Sequence, residues 1–384
     1  MTKKRGEYCF IMNNNQYCYV SADVLESFME DVLVSLGVKK EDSQICADVL
    51  ISADRFGIES HGINRFKAKY YDQIRSGVRS TNTNIDLVKD RPNIAIIDAR
   101  GGMGHVAGKK AMSLAIEKAE KADIAMVVVK NSGHYGFAGY YPLMAVENNM
   151  IGVSSTNAVP LVAPTFGVRR MIGTNPIAVG MPTDEEFPFL LDMATSVKAM
   201  GKVTYMEACG KELPDNWITN DEGKIITDSR GVTREVYSKK AALLPLGGQG
   251  EDSAGYKGFG LATVVEILCS SLSGGAYLSQ LEINKNGNPQ DGEIGHFFLA
   301  VNVSSFIELE SFKKNTGDIL RELRSSKKVP GTEKIYTAGE KEYLAWVERK
   351  EKGIPINREV QKDILTMQKE LKLSQYNFPF ASID

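Results

Sequence analysis

The sequence lacks the features of disulfide-rich, zinc-binding and membrane-spanning proteins. Its five cysteines are widely spaced, and none forms a Cys-x-x-Cys pair. This pattern argues against a disulfide framework or a zinc cluster and favours a reducing compartment, so we expect a cytoplasmic protein. The longest apolar run, at about residues 261–272, contains Glu266 and is too short to cross a bilayer.

An excess of charge of either sign is also missing. Lys and Arg total 46 and Asp and Glu total 48, which gives a formal net charge of −2. Because nucleic-acid phosphates and anionic membranes attract basic proteins, we expect neither as a partner. The basic residues at positions 3–5 precede an apolar run that residues 13–15 interrupt, which makes a poor signal peptide.

Signatures of hydrolases and phosphate-binding loops are absent as well. The chain has no Gly-x-Ser-x-Gly, no P-loop and no metal-ligand motif, so we predict no metal site. Its 384 residues are 43% hydrophobic and 24% charged, which is typical of a globular protein of two or three domains.

Helical periodicity dominates both ends of the chain, whereas the middle is rich in strands. The simplest assembly therefore pairs a helical N-terminal part with a helical C-terminal part around an inserted sheet domain. Residues 198–252 are predicted to be mostly loop, and residues 284–294 an exposed loop. A buried helix is predicted from about Gly258 through Leu261 and Val264. The other helices are predicted at about 21–36, 41–55, 64–77, 106–121, 308–326, 340–352 and 357–373, and strands at about 7–20, 93–98, 124–129, 151–193 and 296–303.

One segment nearly matches the fingerprint of Rossmann dinucleotide-binding folds. Gly102, Gly104 and Ala107 follow a predicted strand and open a predicted helix, in the spacing Gly-x-Gly-x-x-Ala. The acidic residue expected at the end of the next strand is missing, since Lys130 and Asn131 stand there. We interpret the segment as a loop that enters a helix.

Two of the four histidines, His61 and His134, stand beside glycines in polar stretches. Histidine titrates near neutral pH, so it can exchange the proton that accompanies hydride transfer at a carbonyl. A hydrogen-bonded structural role is the alternative for each of them. We assign that structural role to His105 and His296.

Three further positions suit a small organic acid and a nucleotide. Arg65 follows His61 by four residues and can bind a carboxylate through two parallel hydrogen bonds. Lys257, in the glycine-rich run 255–260, can reach a phosphate or a ribose, and residues 192–196 can close around a nucleotide. A surface salt bridge, a flexible loop and a helix cap are the respective alternatives. Together these signals favour cofactor chemistry over hydrolysis.

Seven short segments follow one another in a characteristic order over roughly residues 20–345. They are residues 57–65, 131–136, 173–176, 191–195, 201–202, 243–245 and 255–260. Through these segments the chain resembles the malate/L-lactate dehydrogenase family, which is unrelated to the Rossmann-fold lactate and malate dehydrogenases. That family includes ureidoglycolate, sulfolactate and diketogulonate oxidoreductases.

The resemblance implies an α/β (α+β), non-Rossmann fold with a largely antiparallel central sheet. We expect residues 1–90 and 305–384 to form a helical substrate and dimer domain, and residues 91–304 a sheet-rich cofactor-binding domain. The resemblance also implies a homodimer with the site near the subunit interface.

The resemblance assigns roles to individual residues. His61 and His134 are the acid/base candidates, and Ser60 and Arg65 would hold the substrate acid. The cofactor, NAD or NADP, would contact Asn157, Ala158, Thr174, Asp192, Met193, Ala194, Lys257 and Gly258.

Two positions depart from the family pattern. Many relatives carry a tyrosine four residues after the arginine, where this chain has Lys69; a one-residue insertion would make Tyr70 the matching substrate residue. The family's Pro-Gly-Glu near the cofactor reads Ala-Gly-Glu here, which makes Gly339 a further cofactor candidate.

The implied reaction interconverts a 2-hydroxy acid and its 2-oxo acid, with malate and oxaloacetate or lactate and pyruvate as the leading pairs. Reduction of another 2-oxo acid or of a cyclic imine acid is one alternative. A catalytically silent regulator that binds a nucleotide is another.

Overall fold

The computed structural model describes residues 17–282 and 293–380. Its helices are α1 (Ala22–Ser35), α2 (Lys40–Arg55), α3 (Ile63–Phe66), α4 (Asp72–Arg75), α5 (Gly104–Ala122), α6 (Tyr140–Glu147), α7 (Met200–Ala208), α8 (Val232–Tyr237), α9 (Gly255–Ser270), α10 (Leu309–Ser325), α11 (Glu340–Lys352) and α12 (Arg358–Leu371). Its strands are β1 (Tyr17–Val20), β2 (Asp86–Asp90), β3 (Ile94–Gly102), β4 (Ile124–Ser132), β5 (Met150–Thr156), β6 (Ile177–Met181), β7 (Phe189–Met193), β8 (Ile218–Asn220), β9 (Ala241–Leu243), β10 (Ile294–Asn302) and β11 (Ile354–Asn357).

A seven-stranded sheet forms the centre of the molecule, in the order β2-β3-β4-β10-β5-β6-β7. Its neighbouring strands are antiparallel, except for the parallel pair β3 and β4. Helix α5 connects that pair and packs on the sheet through small residues such as Ala107, Ala111 and Ala115. The predicted non-Rossmann, largely antiparallel fold is confirmed.

The two ends of the chain share one hydrophobic core. Strand β1 pairs antiparallel with β11, and buried side chains of α1 and α2 pack with those of α12. Val360, Ile364 and Met367 recur at helical spacing, so they lie on one buried face of α12. Phe28 of α1 meets the Phe378 ring edge to face at 5.2 Å. The predicted pairing of the helical N- and C-terminal parts is confirmed.

The near-Rossmann segment is a β3-α5-β4 unit, and its Gly104 allows a close contact within the protein. A Cβ on Gly104 would overlap the backbone carbonyl of Gly133, immediately before His134. Because this close approach is between two segments of the chain, the glycine is needed for packing. The loop places the segment that carries His134 directly against the start of α5.

Residues 198–252 are mostly loop and turn, as predicted, but they also contain the short helices α7 and α8 and the antiparallel strand pair β8 and β9, which pack around a small core of their own. The prediction that α9 is a buried helix is wrong for one of its faces. Helix α9 begins at Gly255, and its outer face is open, since Val264 and Ile267 are 50% and 52% exposed. The apolar sequence of α9 therefore does not correspond to burial on all sides of the helix. The predicted loop at 284–294 lies largely outside the described residues, as do residues 7–16 of the first predicted strand.

None of the helices within residues 17–282 and 293–380 is long and apolar enough to cross a membrane.

Candidate active site

The turn that carries His61 is built on a buried carboxyl group. Asp54, in the last turn of α2, is fully buried and accepts a hydrogen bond from the Ile63 N–H at 2.8 Å. Gly62 packs so tightly against this carboxyl group that a Cβ there would overlap it. Arg349 of α11 donates to the Asp54 carbonyl and pairs with Glu59. Residues 59–63 are thus held from both sides.

His61 and His134 meet face to face. Their rings lie 5.9 Å apart between centroids and are only 13° from parallel. The Nδ1 atom of His61 lies 2.9 Å from the Ser60 hydroxyl, and Nδ1 of His134 lies 2.7 Å from the Tyr70 hydroxyl. Because Nδ1 of each ring is engaged by the protein, Nε2 is the nitrogen that remains for a ligand.

Both histidines are neutral at physiological pH. Burial, assisted by the Arg65 cation, lowers the pKa of His61 to about 4. Burial and the nearby Lys69 cation hold the pKa of His134 well below its ordinary value. An unprotonated histidine can accept a proton, which is the state that oxidation of an alcohol requires.

Arg65 lies at the same site with its orientation already set. Its Nε donates to the Ser60 carbonyl at 3.0 Å, which leaves the two terminal nitrogens of the guanidinium. A Cβ placed on Gly201, at the start of α7, would lie 3.7 Å from Nη2 of Arg65. The first turn of α7 therefore closes this side of the site. Ser60 and Arg65 are brought together with both histidines, as the sequence predicts.

Tyr70 is also brought to the site, but it stands behind His134. It lies in a π-helical turn, Lys67–Tyr71, between α3 and α4. Such a turn contains one residue more than an α-helical turn, which matches the one-residue insertion inferred from the sequence. The Tyr70 side chain is fully buried, and its ring contacts His105 and Arg79.

The predicted cofactor residues at the end of β7 form a connected row next to the loop that carries His134. Asp192 accepts a hydrogen bond from the Gly139 N–H, which ends the loop that carries His134, at 2.9 Å. Burial raises the pKa of Asp192 to about 6. Met193 and Ala194 follow, and the Thr195 N–H donates to the Thr174 carbonyl at 2.9 Å. This row runs along the edge strand of the sheet.

Lys257 and Gly258 join the same row through the backbone. The Leu246 N–H donates to the Thr195 carbonyl at 2.9 Å, and the Leu246 backbone packs directly against Gly258. Lys257 is exposed and lies in the first turn of α9 rather than in a flexible loop. Its ammonium group lies 5.9 Å from the Tyr256 ring centroid.

Asn157 and Ala158 lie over a buried carboxyl group, Glu266, that no sequence motif marks. Glu266 of α9 is 5% exposed and accepts hydrogen bonds from the side-chain amides of Asn157 and Asn175 and from the Leu278 N–H. Asn175 in turn accepts from the Ala158 N–H. A lone acidic residue in an apolar helix was the available signal. Asn157 is thus hydrogen-bonded within the protein, and a contact with a cofactor would be additional to these bonds.

Gly339 lies at the other end of β7, beside the first residues of that strand. It adopts a left-handed φ of +92° at the start of α11 and packs on Pro188 and Leu190. Beside it opens a cleft of about 610 Å³ whose walls include Glu185, Arg324 and Glu340. The acidic and basic side chains of this cleft pair with one another.

The remaining two histidines are buried in the interior. His296 contacts the hydroxyls of Thr156 and Ser132, each at 2.8 Å, and stacks on the Tyr135 ring. Burial lowers the pKa of both His105 and His296 to about 3. Within residues 17–282 and 293–380, no group of three or more His, Cys, Asp or Glu residues is arranged to hold a metal ion.

The sequence of the chain matches a known family of enzymes. A sequence profile described as malate/L-lactate dehydrogenase matches residues 20–365, most of the chain. The chain belongs to the malate/L-lactate dehydrogenase family. It is therefore an oxidoreductase that acts on the CH–OH group of hydroxy acids.

Relatives within this family support the assignment. A malate dehydrogenase of Pyrococcus abyssi is 46% identical over 90% of this chain and 93% of its own length. An L-sulfolactate dehydrogenase of Methanocaldococcus jannaschii is 36% identical over 90% of this chain and 94% of its own length. The crystal structure of malate dehydrogenase from Entamoeba histolytica superposes with a TM-score of 0.91 at 39% identity, covering 95% of this chain and all of that one.

Proposed function

We propose that this chain is a malate dehydrogenase that interconverts malate and oxaloacetate with NAD or NADP. The observation that carries the proposal is the stacked pair His61 and His134 beside Arg65. The 46% identity to a malate dehydrogenase supports malate over lactate as the substrate. We further propose the predicted roles of the site residues on the contacts described above.

Arg65 binds the carboxylate next to the reacting carbon. Its Nε is held by Ser60, so the two terminal nitrogens form a fixed fork that matches a carboxylate. A carboxylate at this position also offsets the Arg65 charge that helps to depress the pKa of His61. Substrate binding thus makes it easier for His61 to carry a proton.

His61 and His134 exchange the proton of the hydroxyl group through Nε2. In the direction of alcohol oxidation, the ring whose Nε2 carries a lone pair accepts this proton, and an Nε2–H of the other ring can donate a hydrogen bond to the same oxygen; in the direction of reduction, the protonated ring returns the proton to the forming alkoxide. A nicotinamide cofactor, when bound, accepts or supplies the hydride.

The residues along β7 fit such a cofactor. The Asp192 carboxyl group, which burial makes easier to protonate, can exchange hydrogen bonds with a polar ring substituent. Lys257 presents an exposed ammonium that suits a phosphate. We propose Asn157, Ala158, Thr174, Met193, Ala194 and Gly258 as its further contacts, with Gly339 at the far end of the strand.

We propose that the protein is a cytoplasmic homodimer. The open apolar face of α9 supports a dimer, because it exposes Leu261, Val264 and Ile267 directly after the cofactor candidate Lys257. Burial of this face against a second copy would place the partner near the site. The domain division at residues 1–90 with 305–384 and 91–304 stays a prediction. Molar mass by light scattering measures the oligomeric state directly.

The experiment that tests the function is oxidation of NADH and NADPH, followed by absorbance, with oxaloacetate, pyruvate and the 2-oxo acid of sulfolactate. We expect turnover with oxaloacetate to exceed turnover with the other two acids. The same assay on His61→Ala and His134→Ala is expected to show losses of about 100-fold or more.

The possible results separate the candidates. Preference for pyruvate or for the sulfonated acid would replace malate by that substrate and keep the reaction. A cyclic imine acid belongs in the same panel. Absence of turnover with every acid and both cofactors would contradict the enzymatic proposal and favour a nucleotide-binding regulator. A histidine variant that keeps normal turnover would remove that histidine from proton exchange.

A further inference from the structure

Tyr70 lies on the protein side of His134, away from the histidine nitrogen that remains for a ligand. Its side chain is fully buried, and its hydroxyl lies 2.7 Å from Nδ1 of His134. That contact occupies the nitrogen opposite to Nε2. A residue in this position acts on the substrate only through the histidine.

The π-helical turn aims Tyr70 at His134. The Asp72 N–H bonds to the Lys67 carbonyl, five residues back, instead of the four of an α-helix. The wider turn sends the two neighbouring tyrosines to different partners. Tyr71 is also buried, but its hydroxyl donates to Glu370 at 2.7 Å and contacts Arg75.

The Tyr70 ring is fixed on two sides. The Arg79 guanidinium lies 4.8 Å from its centroid, and the His105 ring lies 5.0 Å away. Arg79 is itself held by a hydrogen bond of 3.0 Å to the Gln73 side chain. A buried phenol packed in this way has little freedom to turn its hydroxyl away from His134.

The second contact to Nδ1 decides which ring nitrogen carries the proton. The Gly136 N–H points at Nδ1 of His134 at 3.3 Å. A backbone N–H can only donate, so Nδ1 must present its lone pair, and the neutral ring carries its hydrogen on Nε2. The Tyr70 hydroxyl then also donates to Nδ1.

We infer that Tyr70 is a positioning residue that, together with the Gly136 N–H, holds neutral His134 in the Nε2–H tautomer. The tautomer is a property of the ligand-free protein. Only its effect on turnover rests on the proposed function. In that function the tautomer directs a hydrogen-bond donor, rather than a lone pair, at the oxygen of the substrate, so His134 stabilises the alkoxide and His61 is the ring that accepts the hydroxyl proton.

Histidine nitrogen NMR tests the inference, because the chain has only four histidines. The ¹⁵N shifts of the imidazoles distinguish the tautomers, and loss of a signal pair in His134→Gln assigns His134. In the unaltered protein at pH 7.5 we expect His134 to be Nε2–H. In Tyr70→Phe we expect the Nδ1–H fraction to rise about fivefold, since one hydrogen bond to Nδ1 is lost.

Tyr71→Phe is the matched control. It removes a hydroxyl from the same turn, and that hydroxyl contacts Glu370 and Arg75. We expect this variant to leave the His134 shifts unchanged. An Nδ1–H tautomer in the unaltered protein would overturn the inference even if Tyr70→Phe did not fold. Unchanged His134 shifts in a folded Tyr70→Phe would also overturn it.

Kinetics then test the consequence for catalysis. We expect Tyr70→Phe to lower kcat about tenfold, with KM for the acid changed less than threefold, because only the orientation of His134 is altered. A loss confined to KM would make Tyr70 a substrate contact instead. If the unaltered protein reduces no 2-oxo acid, the proposed function fails, while the NMR result still decides the tautomer.

Discussion

His61 and His134 share one site because two rigid supports bring them together from positions 73 residues apart in the chain. The carboxyl group of Asp54 holds the turn of His61, and the contact between Gly104 and Gly133 holds the loop of His134. Neither ring relies on a flexible segment for its position. Such fixed supports are what precise proton exchange with a small acid requires.

At this scale the role of Arg65 can be tested by a change that keeps its charge. Arg65→Lys removes the planar fork, so we expect KM for the 2-oxo acid to rise about tenfold or more while kcat changes less. Steady-state kinetics measure both quantities. Arg75→Lys is the control, since Arg75 follows on the same helical segment and pairs with Glu370. Equal saturation curves for the Arg65→Lys variant and the unaltered protein would contradict the carboxylate assignment.

The sequence identified these residues by type and neighbourhood but did not give their partners. His61, Arg65 and His134 were visible because glycines and polar residues surround them. Asp54 was not singled out, since a single acidic residue in an amphipathic helix is normally solvated. Its burial depends on Gly62, in the turn that follows the helix, and on Arg349, which is distant in the chain.

At the scale of elements, helix α2 and the turn that follows it behave as one unit. The Asp54 carboxyl group has a pKa that burial raises to about 8, so it is largely protonated at neutral pH. It accepts from the Ile63 N–H and fills the space beside Gly62. The start of α3 is therefore fixed by a side chain of α2.

A double-mutant cycle tests this unit. Gly62→Ala is expected to lower the melting temperature by several degrees, because its new Cβ overlaps the Asp54 carboxyl group. In the background of Asp54→Ala, Gly62→Ala should lower the stability of the fold by less. We expect a coupling free energy between the two substitutions of about 1 kcal/mol or more. Gly260→Ala in α9 is the control, since its Cβ meets no atom within 4 Å. Additive effects of the two changes would contradict a direct contact.

Prediction of the elements succeeded where a segment has a clear periodicity. Helices α10, α11 and α12 lie within two residues of their predicted bounds, because each shows an apolar stripe at helical spacing. The short elements α7, α8, β8 and β9 were missed. They are three to nine residues long, and their own small core stabilises them more than local propensity does.

At the scale of the molecule, the four histidines fall into two groups of rings, one at the site and one in the sheet, which are joined through the adjacent residues His134 and Tyr135. His61 stacks on His134, His134 and His105 both contact Tyr70, and His296 stacks on Tyr135. All four have pKa values lowered by burial. The folded protein therefore resists their protonation, whereas the unfolded chain does not.

This difference predicts acid lability. The folded pKa of His105, about 3, lies below its unfolded value of about 6.5. The contribution of His105 to the free energy of unfolding is complete above pH 6.5. It is lost as the pH falls from 6.5 towards 3, because the unfolded chain binds the proton first. Urea unfolding between pH 7 and pH 4 should show the loss. His105→Leu should make the acid side of the profile shallower, and an unaltered slope would contradict this account.

Asp54 acts with the opposite sign. Its folded pKa of about 8 lies above the ordinary carboxyl value. Its contribution to the free energy of unfolding is therefore lost as the pH rises from that ordinary value towards 8, because the unfolded chain releases the proton first. Measurements below pH 7 on the background of Asp54→Asn isolate the histidine effect.

The sequence by itself determined the positions of the long helices, the family and the residue types at the site. These follow from interactions between residues close together in the chain and from motifs that stand in order along it. Only the tertiary structure decided which of these residues touch. It placed Tyr70 behind His134, left one face of α9 open and filled the space at Gly104 with the chain's own backbone. Contacts of this kind depend on how distant segments pack, and no local pattern records that packing.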